Sequence, residues 1–97
     1  MSTTPTKLAD AQISARLEKH PEWTRENHAL NRTFVFEDFD QAFAFMSKVA
    51  EIAKNMNHHP DWQNVYNKLT INLSTHDVDG ISDLDFEMME KIDALLD

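Results

Sequence analysis

The chain contains no cysteine. Disulfides, thiolate nucleophiles and cysteine-based zinc sites are therefore excluded together, and the absence suits a reducing compartment. It has a single glycine, Gly80. Neither a P-loop nor a dinucleotide-binding fingerprint can be written with one glycine, and a Gly-x-Ser-x-Gly nucleophile elbow is equally impossible. Basic residues are scarce: nine Lys and Arg stand against 17 Asp and Glu, a formal net charge of −8. Such a surface repels phosphate backbones, and no basic stripe with interleaved aromatics offsets it, so no direct nucleic-acid binding is expected. No apolar run approaches the ~20 residues that cross a bilayer. The segment Met1-Ser2-Thr3-Thr4-Pro5-Thr6-Lys7 lacks the apolar centre of a signal peptide. A protein of the cytoplasm, away from membranes, is the expectation.

What is present suits one globular domain. Hydrophobic residues make up 41% of the 97 positions, enough for a core without covalent staples. Residues 1–7 are polar and read as a frayed tail, with a single domain over 8–97. A helix is expected over 8–19, where Ala9, Ile13 and Leu17 share a face; Pro21 ends it, and Ala9 makes a poor cap. A short strand follows over 23–26, a turn at Asn27-His28, and a firmer strand over 29–37. On that strand Leu30, Arg32, Phe34 and Phe36 alternate with Asn31, Thr33 and Val35.

Asp38-Phe39-Asp40-Gln41 opens a second helix, in which the Asp cap and the Gln three residues on can bond back reciprocally. It is expected to run to Asn57. Its stripe is Phe39, Ala42, Phe43, Met46, Val49, Ala50, Ala53 and Met56, widened by Phe45 and Ile52. So wide a stripe either packs partly under neighbouring loops or serves a second, intermolecular contact. Beyond Pro60, residues 65–75 place Val65, Leu69, Ile71 and Leu73 on odd positions, and Tyr66 and His76 on even ones. Eleven residues is long for one strand, and Asn67 interrupts the apolar series, so a bend near it is expected. Asp77-Val78-Asp79-Gly80 is a turn. Ser82-Asp83-Leu84-Asp85 opens a last helix with a capping box. The order is helix, strand, strand, helix, long strand or strand pair, helix. With the pair this is an α+β fold (α-β-β-α-β-β-α), a four-stranded antiparallel sheet with three helices packed on one face.

The residues with chemistry gather around Asn57-His58-His59-Pro60-Asp61-Trp62. Consecutive side chains diverge, so one histidine can orient while the other reacts, and Pro60 fixes the backbone that aims them. His76 follows in Ser74-Thr75-His76-Asp77. If the long strand is unbroken, Tyr66 and His76 share a face, and a returning connection brings His76 to His58 and His59. Imidazole, titrating near ~6.5 when unperturbed, exchanges protons at neutral pH. Adjacent histidines without i, i+4 spacing are poor ligands for one ion, so no metal is expected. Asp85 reads as a cap as readily as an acid. His20 and His28 read as plain surface residues.

These residues resemble the pterin-4a-carbinolamine dehydratase family. The correspondence runs through Lys54, His58-His59-Pro60, Tyr66, His76 and Asp85 with the family's gaps intact. It extends to Trp62, Asn64-Val65-Tyr66-Asn67-Lys68, Leu73-Ser74-Thr75-His76 and Gly80-Ile81-Ser82, and upstream to Trp23, Arg32-Thr33-Phe34-Val35-Phe36 and Phe39 through Phe43. The resemblance implies dehydration of 4a-hydroxytetrahydrobiopterin to quinonoid dihydrobiopterin, recycling tetrahydrobiopterin for aromatic amino acid hydroxylases, with no cofactor. By the same resemblance His58, His59 and His76 are the proton donors and acceptors, while Trp62, Thr75, Asp77 and Asp85 line the pterin pocket or orient a histidine. Two departures stand out: Lys54 where many members carry glutamate, and Asp79 where a small residue is usual. The family also implies a homodimer or homotetramer. Its second implied role is a protein-interaction module, a dimerisation cofactor of transcription factors acting through the second helix; an aromatic amino acid hydroxylase is another possible partner.

Overall fold

A computed structural model describes residues 5–96. Helix α1 (Asp10–Leu17) is followed by strands β1 (Thr24–Glu26) and β2 (Ala29–Val35), helix α2 (Phe39–Met56), strands β3 (Asp61–Val65) and β4 (Lys68–Leu73), a 3-10 turn (His76–Val78) and helix α3 (Asp83–Ala94). The strands form one antiparallel sheet in the order β1-β2-β4-β3. The expected α+β architecture is the observed one.

Alternation along the central strands separates the faces. Leu30 and Phe34 of β2 and Leu69, Ile71 and Leu73 of β4 are buried beneath the helices. The opposite face is polar, with Asn31 Nδ2 donating to Asn72 Oδ1 at 2.7 Å and the Thr33 and Thr70 hydroxyls 3.1 Å apart. The helices add Ile13, Val49, Ala53, Phe86, Met88, Met89 and Ile92 to the core.

Helix α2 starts as its sequence requires: Asp38 accepts from the Gln41 backbone N–H at 2.9 Å. The expected reciprocal bond differs in detail, because Gln41 Oε1 takes the N–H of Glu37 rather than that of Asp38. Its buried residues are Ala42, Phe45, Val49 and Ala53. Phe45 is therefore a core residue, its ring 5.1 Å from both Phe34 and Phe36. The surplus of the stripe lies elsewhere, on the stacked and exposed pair Phe39 and Phe43. At ~100° per residue, a stripe phased on 42, 45, 49 and 53 turns position 43 outward.

The long strand is two strands. Val65 pairs with Lys68 across a hairpin at Tyr66-Asn67, where Tyr66 takes a left-handed backbone with φ 53°. Val65 consequently points to the open face, not to the face of Leu69. Tyr66 and His76 share no strand face, since the first lies in the hairpin and the second begins the 3-10 turn. A bend here, and a strand pair in place of one long strand, were legible; the exact turn was not, because a tyrosine carries none of the usual signal for a left-handed turn.

The expected tail, residues 1–7, lies partly outside the described residues. Its inner end is docked: the Leu8 N–H donates to Ile81 O at 2.8 Å, and the Lys7 stem lies across Gly80.

Candidate active site

The sheet register brings the histidine segments together. Asp61 at the start of β3 pairs with Asn72 near the end of β4. The chain just before β3 (His58-His59-Pro60) and the chain just after β4 (Ser74-Thr75-His76) therefore meet at one corner of the sheet. Asn57 ends α2 there in a left-handed conformation, φ 52°, which suits an asparagine at that position. The chain then turns sharply enough for the His58 N–H to bond back to Ala53 O at 3.1 Å.

The two neighbouring histidines diverge. His58 points inward and is only 9% exposed, whereas His59 faces solvent. His58 Nε2 lies 2.7 Å from Oδ1 of Asp85, a carboxylate with no exposed surface. The other oxygen, Oδ2, accepts from the Thr75 hydroxyl at 2.8 Å and from the Ser82 backbone N–H at 2.9 Å. With its proton given to Asp85, the Thr75 hydroxyl accepts in turn from Ser82 Oγ at 2.6 Å. Ser82 Oγ also accepts from the Leu84 N–H. A buried carboxylate tolerates removal from water when its lone pairs are filled by donors, and here three donors converge on it.

This arrangement assigns the His58 tautomer. Nε2 carries the hydrogen that Asp85 accepts, which leaves Nδ1 as the nitrogen able to take up or give a proton. Nδ1 has no protein partner among the described residues, and no buried side-chain nitrogen there is left unpartnered. It therefore opens to the surface at the corner where His59 and His76 emerge. The logic is that of a buried carboxylate holding an imidazole in one tautomer and orientation.

His76 and Asp77 are exposed at the start of the 3-10 turn. Trp62 is half-buried on β3, opposite Ile71 on the helix-covered face. Of the seven residues singled out, the structure joins His58, Thr75 and Asp85 by direct bonds and places His59, His76 and Asp77 on the surface of the same corner. Thr75 differs from a pocket-lining role in having its hydroxyl committed to Asp85 and Ser82. Ser82 is the member that sequence reasoning missed. The capping box identified it as a helix start, and the box is indeed present, but nothing local shows that the box lies beneath a histidine. Lys54 is exposed in the last turn of α2, and Asp79 takes a left-handed φ of 51°. Among the described residues no group of three His, Asp or Glu is arranged to hold a metal ion.

A second polar cluster surrounds Asp93 at the other end of α3. Trp23 Nε1 donates to its two oxygens at 3.0 and 3.1 Å, and Arg32 Nη1 donates at 3.0 Å. His20, expected to be a plain surface residue, is half-buried with its ring nitrogens 3.7 Å from Glu90 and 4.0 Å from Asp93. His28 is exposed in the β1–β2 turn, as expected.

Comparison with known proteins identifies the family. The family described as pterin 4 alpha carbinolamine dehydratase matches residues 6–95. A protein of Prochlorococcus marinus (strain NATL2A), provisionally named pterin-4-alpha-carbinolamine dehydratase, is 48% identical over 85 residues, 88% of this chain and 90% of that one. Another so named, from Solibacter usitatus, is 49% identical over 90 residues, covering 93% and 95%. The crystal structure of a transcriptional coactivator/pterin dehydratase from Brucella melitensis superposes with a TM-score of 0.89 at 34% identity, covering 92% of this chain and 97% of that chain. The match thus spans the histidine corner, both halves of the sheet and all three helices, and the chain belongs to the pterin-4a-carbinolamine dehydratase family.

Proposed function

We propose that the chain dehydrates 4a-hydroxytetrahydrobiopterin to quinonoid dihydrobiopterin by histidine acid/base catalysis, returning tetrahydrobiopterin to aromatic amino acid hydroxylases in the cytoplasm. Family membership supports a hydro-lyase acting on a pterin carbinolamine. The observation that carries the histidine chemistry is the buried His58–Asp85 pair at 2.7 Å, set behind the exposed His59 and His76.

The reaction asks for little else. One imidazole protonates the leaving hydroxyl, so that the carbon–oxygen bond breaks to release water. Another takes the proton from the neighbouring ring N–H, and the nitrogen's electrons close the new C=N bond. Three imidazoles at one corner supply both groups and a spare, and none of these steps calls for a metal or cofactor. Asp85 serves by fixing His58, and Thr75 and Ser82 by fixing Asp85. Trp62 offers an apolar surface at the rim, and Asp77 a polar one.

The test is a dehydration assay on 4a-hydroxytetrahydropterin generated in situ, with wild type, His59→Ala and His76→Ala. Clear acceleration by the wild type, lost in both folded variants, is expected. A wild type no faster than the uncatalysed reaction sinks the proposal.

A second reading has one specific observation in its favour. Phe39 and Phe43 stack at 5.8 Å on the outer face of α2 and remain exposed, as suits a helix docking against another helix. We propose that this face serves self-association into a homodimer or homotetramer, or a transcription-factor partner. Sedimentation of Phe43→Ser beside wild type tests it; an unchanged oligomeric state and no lost partner would dismiss this face.

A further inference from the structure

The single glycine lies outside the left-handed region: among the described residues the positive φ values belong to Asn27, Asn57, Tyr66 and Asp79. What distinguishes Gly80 is the side chain that lies against it. A Cβ there would stand 2.8 Å from Lys7 Cε, with Cγ and Cδ at 3.2 and 3.3 Å. The Lys7 stem therefore lies directly on the Gly80 backbone, and one residue later the Leu8 N–H donates to Ile81 O at 2.8 Å. Two consecutive residues of the N-terminal segment clamp two consecutive residues of the loop between β4 and α3.

That loop carries the site. Thr75 N–H donates to Gly80 O at 2.7 Å and Gly80 N–H to Thr75 O at 3.4 Å, closing a ring that holds His76 at its start. Inside the ring, Val78 N–H bonds to Thr75 O and Asp79 N–H to His76 O. On the far side of Ile81 comes Ser82, whose backbone N–H and hydroxyl belong to the Asp85 network. The clamped pair Gly80-Ile81 thus stands between the segment that aims His76 and the one that fixes Asp85, and through it His58. The Lys7 methylenes cover the side of Gly80 where a Cβ would stand.

We infer that Lys7 is a positioning residue of the active site, acting through its aliphatic stem on Gly80 to hold the 75–82 loop. As a role in turnover this rests on the dehydratase reading above. The stem acts by packing, as a long cationic side chain does when its methylenes cover a surface and its ammonium stays in water. Small displacements of catalytic groups are costly, on the order of a hundredfold in rate for a 1 Å misplacement, so a loosened loop shows in kcat before it shows in folding.

The test uses Lys7→Ala, Lys7→Met, Gly80→Ala and the double variant Lys7→Ala/Gly80→Ala. It measures kcat and KM for dehydration, the melting temperature and the NMR signals of the His76 ring. Gly80→Ala, whose new methyl displaces the stem, is expected to lower kcat about tenfold with little change in KM and to shift the His76 signals. Lys7→Ala is expected to do the same more weakly. Lys7→Met, which keeps the stem and drops the charge, is expected to match wild type. In the double variant the methyl no longer meets the stem, and kcat is expected to be no lower than in Lys7→Ala alone. Unmoved kcat and unmoved His76 signals in folded Gly80→Ala and Lys7→Ala overturn the inference, as does a Lys7→Met variant as impaired as Lys7→Ala. A wild type without dehydratase activity refutes the reaction alone; the His76 signals then decide whether the clamp holds the loop.

Discussion

Helix α3 carries an aspartate near each end, and each has a histidine beside it. Asp85 and His58 form one pair, Asp93 and His20 the other, yet their surroundings differ in kind. Asp93 is 27% exposed at its side chain and receives a guanidinium at 3.0 Å together with an indole N–H. Its charge is matched by Arg32, which is always cationic, and His20 stands off at 4.0 Å. Asp85 is fully buried, and two of its three donors, the Thr75 hydroxyl and the Ser82 N–H, are neutral. His58 is its one ionisable donor among the described residues. A carboxylate held by arginine pins strands to a helix; one held by a histidine and neutral donors fixes the imidazole through one ring nitrogen and leaves the other for the chemistry proposed above. In the proposed reaction the two ends of α3 divide into a structural clamp and a chemical site.

The division can be broken by substitutions on each side. The largest expected effect is on rate: His59→Ala and His76→Ala should each lower dehydration by about 10²–10⁴-fold while moving stability by no more than about 0.5 kcal/mol. His20→Ala, measured alongside, should leave the rate unchanged; a comparable loss there would erase the distinction. Next comes the aspartate pair. Asp85→Asn should cut kcat by roughly a hundredfold or more, because an amide facing His58 no longer enforces the Nε2–H tautomer. Asp93→Asn should spare kcat and instead cost about 1–3 kcal/mol, read as a melting point lower by ~4–8 °C per kcal/mol in a domain of this size. Smaller still are the neutral donors. Trp23→Phe deletes the indole N–H shared by the two Asp93 oxygens, and Thr75→Val deletes the bonds to both Asp85 and Ser82, at about 1 kcal/mol per bond; thermal melts should show both, but only Thr75→Val should also slow turnover. The smallest effect lies outside both clusters. Tyr66→Asn removes a bulky side chain from a left-handed position and should stabilise the fold by about 0.5–1 kcal/mol, with kcat untouched.

How much of this was legible in the sequence follows the range of the forces involved. Local signals served well. The Asp38 and Ser82 caps, the turn at Asn27-His28 and the β2 alternation of Leu30 and Phe34 against Thr33 and Val35 are set by neighbours within four residues, and all appear where expected. The strand pair was legible but its hairpin at Tyr66-Asn67 was placed only as a bend near Asn67, because its left-handed residue is neither glycine nor asparagine. Phe45 and Phe43 exchanged places between core and surface, since both fit a broad stripe and only the position of Phe34 and Phe36 across the interface decides the phase. Divergence of His58 from His59 followed from chain geometry. The meeting of Ser82 and Thr75 over Asp85 did not, being a contact between segments whose separate patterns say only cap and strand end. The docking of Lys7 on Gly80 was equally hidden, for a polar tail carries no periodicity and a lone glycine reads as a turn.

Asp85 is also the third residue of α3, and the bond from Ser82 N–H that caps the helix ends on the carboxylate that holds His58. Helix ends open far more readily than whole domains, with free energies that range from near zero up to that of global unfolding. Each fraying of this first turn withdraws the partner of His58, so under the proposed mechanism the competent site exists only for the fraction of time that one helical turn is closed. Working temperature and denaturant tolerance are then governed by a sub-global equilibrium, and amide exchange at Leu84 and Asp85 measures the reserve of activity more directly than the melting point does.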